Sequence, residues 1–150
     1  MGNSIRLHVP LIFITFGDKV YKCWDDNGLV SEMYVSHIDN VPKEKVDMKN
    51  EKGEKTTGTW IQWLIREDQG AKNYAMRLFT MEPNAKIAKH HHPWEHEIFV
   101  LSGEGIIGAG DKEVKVHAGN FLYIEPDVPH WYRNESDEEF KFLCIIPIRK

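Results

Sequence analysis

From residue 59 onward, apolar and polar positions alternate in short runs instead of recurring at helical spacing. Residues 59–65 (TWIQWLI) and 74–81 (YAMRLFTM) are rich in aromatic and branched side chains. Similar runs follow at 97–101, 106–107, 113–117, 121–124 and 140–146. Glycine, proline, asparagine or aspartate punctuates them at short intervals, and no run reads as a long amphipathic helix. Many short strands of this kind predict an all-β sandwich or closed barrel. Earlier in the chain, apolar runs at 11–16 and 29–35 are broken by Asp25, Asp26, Asn27 and Gly28, a turn signal between strands. A charged, weakly apolar stretch at 42–58 separates the two parts. The expected organisation is an N-terminal extension and charged linker over 1–57 and a β-barrel domain over 58–150. Residues 1–32 are the part of the extension read as flexible or exchanged with a neighbour.

Composition narrows the function classes. The 150 residues suffice for one domain with a real core. Charged residues make up 28% with a net charge of −4 and no basic stripe, which argues against nucleic-acid binding. The most apolar stretch, residues 7–16, is about half the ~20 residues of a spanning helix, and Pro10 interrupts it. No small-residue cleavage site follows it, and Arg6 breaks a myristoylation pattern. The reading is therefore a cytoplasmic protein with no membrane partner. Cys23 and Cys144 have neither metal-site nor redox spacing.

The chemistry is concentrated in histidine. Five of the eight histidines fall in two places: His90, His91, His92 and His96 in one, His130 in the other. In a strand, alternate side chains share a face, so His90 and His92 point together and His91 points away. Pro93 marks the strand end and opens a corner, after which His96 begins the next strand and faces back. His130, directly after a Pro126–Pro129 turn, is the candidate fourth ligand. Neutral imidazole suits several divalent cations. His8, His37 and His117 carry no such pattern.

Two motif matches are set aside. The string from His92 to His96 matches an inverted zinc-protease motif, but that chemistry needs a helix and Pro93 favours a corner. Gly103, Gly105 and Gly108 match a dinucleotide fingerprint, but the sequence that follows alternates like a strand where a helix is required.

Taken together, His90, His92, His96 and Gly103, then Gly119, Pro126, His130 and Asn134, resemble the two metal-binding motifs of the cupin family. Asn84 stands where the family usually has a leading glycine, and His96 where it usually has glutamate. One extra residue separates Gly119 from Pro126. The resemblance covers residues 58–148 and extends more narrowly to small single-domain cupins with a four-histidine, manganese-type site. It implies a double-stranded β-helix (jelly-roll barrel) and a divalent metal ion, manganese first, with iron, copper, nickel or zinc as alternatives. It also implies Phe142 and Cys144 in the metal pocket, Arg77 near it, and a homodimer.

Exchanging the acid for a fourth histidine leaves a divalent ion its full charge, which strengthens its hold on anions. The pocket candidates are Met76, Phe79, Ile98, Tyr132 and Phe142. Alternation forbids Met76 and Arg77 from sharing one face of a regular strand. Arg77 and Cys144 are the catalytic candidates: Arg77 would orient an anionic group, whereas Cys144 reads chiefly as a packed thiol with no histidine beside it in sequence. Asn134 is expected to hold a turn near His130. The leading expectation is an oxidoreductase that uses dioxygen or a peroxide on a small organic substrate. The alternatives are a metal-dependent isomerase or lyase, and a non-catalytic small-ligand or metal-binding module.

Overall fold

The computed structural model describes residues 19–24 and 30–148. The apolar run at 11–16 and the turn signal at 25–28 lie outside them. Two compact units divide between Asn40 and Val41. In the first, β1 (Lys19–Trp24) pairs antiparallel with β2 (Val30–Val35), from Trp24 opposite Val30 to Lys19 opposite Val35. A single 3-10 turn, Ile38–Asn40, follows.

The charged stretch at 42–58 belongs with the second unit. There β3 (Glu44–Lys45) pairs with β4 (Thr57–Ile65), and Val46 and Met48 pack against the core. The two apolar side chains stand two positions apart, as on one face of a strand, and the surrounding charges conceal them in the sequence.

The second unit is a curled antiparallel sheet of jelly-roll type, and no α-helix occurs among the described residues. Its centre is β5 (Tyr74–His90), 17 residues long, which pairs with β4, with β11 (Phe140–Pro147) and with β10 (His130–Arg133). The remaining strands are β6 (His96–Ser102), β7 (Glu104–Ala109), β8 (Lys112–His117) and β9 (Phe121–Ile124). Each expected run from 59 onward lies within one of these strands. β5 continues past Met81, where the expected run ended, without a break at Pro83 or Asn84. Asn84 instead supplies a corner at φ 59°, a left-handed conformation that asparagine tolerates better than most residues. That accounts for asparagine at the family's glycine position.

Asn134 secures this corner. Its side chain, 1% exposed, donates through Nδ2 to the carbonyls of Met81, Glu82 and Glu138. Its Oδ1 accepts from the Ser136 backbone and hydroxyl, so it holds the expected turn and ties that turn to β5. The dinucleotide-like glycines have another purpose. A Cβ at Gly105 would meet the Phe140 ring at 2.6 Å, and one at Gly108 the Trp131 ring at 2.0 Å. They leave room for aromatic rings to lie on β7.

The core is an aromatic stack continued by aliphatics. Phe142 stacks between Phe79 and Tyr132, at centroid distances of 5.2 and 5.3 Å, and leans on Phe140. Met81, Val100, Ile107 and Ile124 extend it. No helix of the described residues is long and apolar enough to cross a membrane.

Candidate metal centre

At one end of this stack, histidines from three elements converge. His90 is the last residue of β5 and faces His130, the first of β10, as a cross-strand pair. Two residues of β10, His130 and Tyr132, oppose three-residue spacing on β5, His90 and Ile87. This β-bulge turns both Ile87 and His90 inward, which strict alternation would forbid. The Ala88 N–H within the bulge donates to the buried Thr56 hydroxyl at 3.2 Å.

His92 lies just beyond β5 in the corner made by Pro93. Its carbonyl accepts from the N–H groups of Trp94 and Asp127, both at 2.9 Å. Asp127, at φ 61°, lets the chain before His130 close against that corner. His96 starts β6 opposite Ile124 and is buried. His91 is exposed and points away, as expected.

The ligand nitrogens of His90, His92 and His130 lie within 4.8 Å of one another. The Nε2 atoms of His92 and His96 are 2.8 Å apart. His130 Nε2 is buried with no hydrogen-bond partner among the described residues. Burial is the main force pushing all four imidazoles to lower pKa, with mutual repulsion adding to it. His92 and His130 fall to about 4 and His96 to about 2, so the cluster is neutral. An orphaned buried nitrogen amid neutral imidazoles fits one divalent cation.

The cluster opens on a cavity of about 300 Å³. Arg77 reaches it because β5 places it directly between Trp63 of β4 and Cys144 of β11. Its guanidinium lies over the rings of Trp63 and Phe79, 5.4 and 5.2 Å from their centroids, and Nη2 donates to Cys144 Sγ at 2.9 Å. Arg77 Nε is buried without a partner among the described residues. No carboxylate of the described residues lines the cavity. Burial raises the Cys144 thiol, against the pull of Arg77, and raises Tyr132 well above the ordinary phenol range.

Of the pocket candidates, Phe79, Tyr132 and Phe142 line the cavity with Arg77 and Cys144, but Met76 and Ile98 do not. With Arg77 and Phe79 inward, alternation turns Met76 to the other face. Ile98 shares the inner face with His96 yet packs in the hydrophobic core. Cys144 does meet a histidine, His96, whose Nδ1 lies 3.0 Å from the sulfur. No local pattern announces this contact, because 48 residues separate the two.

Sequence reasoning missed Val46, Met48, Ile61, Trp63, Ile87 and Trp94 as lining residues. Ile61 and Trp63 could have been found from the alternation of β4, and Trp94 from its place inside the histidine string.

Residues 77–146 match the family model described as the cupin domain. The chain is 25% identical over 118 residues to the oxalate-binding protein of Thermotoga maritima, covering 76% of this chain and 93% of that protein. It is 29% identical over 108 residues to polyketide synthase CurC of Streptomyces cyaneus, covering 71% of this chain and 70% of that protein. Among solved structures, the polyketide cyclase RemF of Streptomyces resistomycificus superposes with a TM-score of 0.71 at 27% identity. That match covers 78% of this chain and 80% of RemF.

Proposed function

The chain belongs to the cupin superfamily, and on that premise we propose that it is a metal-dependent oxidoreductase acting on a small organic anion. One observation carries the reading. Neutral His90, His92 and His96, with neutral His130 packed against them, share a largely apolar cavity with a guanidinium whose Nε lacks a partner among the described residues, none of which brings a carboxylate into the lining.

His90, His92, His96 and His130 would hold the cation. A redox-active divalent ion there, manganese by preference, would supply electron exchange with dioxygen or a peroxide. Arg77 binds the anionic end of the substrate: its position between two rings fixes the guanidinium plane, and its free donor points to an acceptor that the protein itself does not provide. Phe79 and Phe142 cover the apolar part and keep water from it. Tyr132 stays a neutral phenol and cannot add a second negative charge beside the anion.

The relative named for oxalate binding supports a small anionic ligand. A cytoplasmic homodimer is the proposed setting.

Elemental analysis of tag-free protein, followed by dioxygen and peroxide consumption across a panel of organic acids, tests the proposal. Stoichiometric metal and turnover lost in His92→Ala are expected. Absence of stoichiometric metal would sink the site assignment; turnover that proceeds without any oxidant would favour the isomerase or lyase.

A further inference from the structure

Each of the four clustered imidazoles turns Nδ1 toward an acceptor. For His90, His130 and His92 that acceptor is a backbone carbonyl: Ala88 at 2.8 Å, Val128 at 2.8 Å and Trp94 at 3.3 Å. A carbonyl only accepts, so these rings carry their proton on Nδ1 and leave Nε2 with a free lone pair. His96 has no carbonyl in that place. Its Nδ1 faces Cys144 Sγ at 3.0 Å.

We propose that Cys144 Sγ is the hydrogen-bond acceptor that orients His96, doing for the fourth imidazole what backbone carbonyls do for the other three. The inference rests on the metal reading above. It makes Cys144 a positioning residue, neither a ligand nor a nucleophile.

The surroundings cast the sulfur as an acceptor. Cys144 is 1% exposed and fixed in the ladder between Arg77 of β5 and Ile98 of β6. Arg77 Nη2 lies 2.9 Å from the same sulfur and 3.4 Å from His96 Nδ1, and since a guanidinium can only donate, the sulfur is the nearer of its two acceptors. If the thiol donated to His96 instead, the ring proton would move to Nε2, the atom that faces His92 Nε2 at 2.8 Å. That nitrogen would then be closed to a cation. With Nδ1–H donating to sulfur, all four imidazoles present a lone pair to the same space. Outer partners of this kind fix the tautomer and aim of a ligating histidine. Three of them here are backbone, which no substitution removes; the fourth is one side chain.

The test uses ¹⁵N-labelled protein titrated with zinc, reading each imidazole tautomer by two-bond ¹⁵N–¹H correlation and affinity by chelator competition. In the zinc-loaded wild type, His96 should carry its proton on Nδ1. Cys144→Ser, which keeps an acceptor, should retain that tautomer. Cys144→Val, which fills the site without a useful acceptor, should mix the His96 tautomers and bind zinc about tenfold more weakly. His90, His92 and His130 should keep their tautomers in both variants. Equal zinc affinity and an unchanged His96 tautomer in Cys144→Val would overturn the proposal. A weakening in Cys144→Ala that Cys144→Val does not share would assign the effect to a void and overturn it as well. A wild type that binds no stoichiometric zinc would instead remove the metal reading, and this inference with it.

Discussion

The indole of Trp94 lies flat on the imidazole of His92, with ring centroids 3.8 Å apart and planes within 5°. Because His92 lies beyond the end of β5, no sheet ladder holds it, and the stack stands in for one. An offset aromatic pair is worth about 1 kcal/mol beyond its buried area. Trp94→Ala is therefore expected to weaken zinc or manganese binding about fivefold and to lower the melting temperature of the metal-free protein by a few degrees. Chelator competition and a thermal melt would measure the two effects. An unaltered affinity would mean that the stack does not aim His92.

Thr56 satisfies the backbone N–H exposed by the bulge in β5. Thr56→Val keeps the shape and removes the hydroxyl, leaving a buried donor unpaired at a cost of about 1–3 kcal/mol. Urea melts should show that loss, and metal binding should weaken with it because the bulge aims His90. A destabilisation with full metal affinity would separate the bulge from the aim of His90.

Arg77→Lys keeps a positive charge but loses the planar fork between Trp63 and Phe79. With manganese bound, isothermal titration should show benzoate binding the wild type more tightly than oxalate, since Trp63, Phe79, Trp94, Tyr132 and Phe142 offer aromatic faces along the wall. The variant should bind benzoate at least about tenfold more weakly, corresponding to about 1.4 kcal/mol, with its metal content intact. Oxalate preferred over benzoate would shift the substrate class toward small dianions.

Acid should destabilise the protein once metal has been stripped from it. The clustered histidines are held neutral when folded, down to about 4 for His92 and His130, but titrate near 6.5 when unfolded. Between those limits the unfolded chain binds more protons, so stability is fully present above pH 6.5 and is lost as the pH falls toward 4. The slope approaches about 1.4 kcal/mol per pH unit for each fully buried histidine. His96 and His130 dominate, while solvent screens the half-exposed His92. Urea melts of chelator-treated protein at pH 7.5 and pH 5 would measure the difference; equal stability at the two values would contradict the neutral cluster.

The strands and the histidine cluster were legible because both express a period of two. What stayed hidden breaks that period or spans the chain. The bulge at Ala88 lets Ile87 and His90 face the same way, and no local pattern announces it. Asn84 looked like a departure from a family glycine until its φ of 59° explained it. Met76 and Arg77 competed for one face in the sequence, and only the pairing with Trp63 and Cys144 decided between them. Val46 and Met48 were masked by neighbouring charge. The meeting of Cys144 with His96 depends on β11 lying beside β6, a matter of topology that spacing does not reveal.

The length of β5 has a consequence for how such a site can change over generations. Arg77 and His90 sit near opposite ends of one continuous strand, joined through the Asn84 corner. Point substitutions along the cavity wall can reshape what it accepts without altering the span between guanidinium and imidazole. Gaining or losing a single codon between them would reverse the facing of one end relative to the other. The lineage of this chain is thus free to explore new side chains along the strand, whereas a one-residue insertion or deletion within it is tolerated only where a bulge such as that at Ala88 takes up the change of facing.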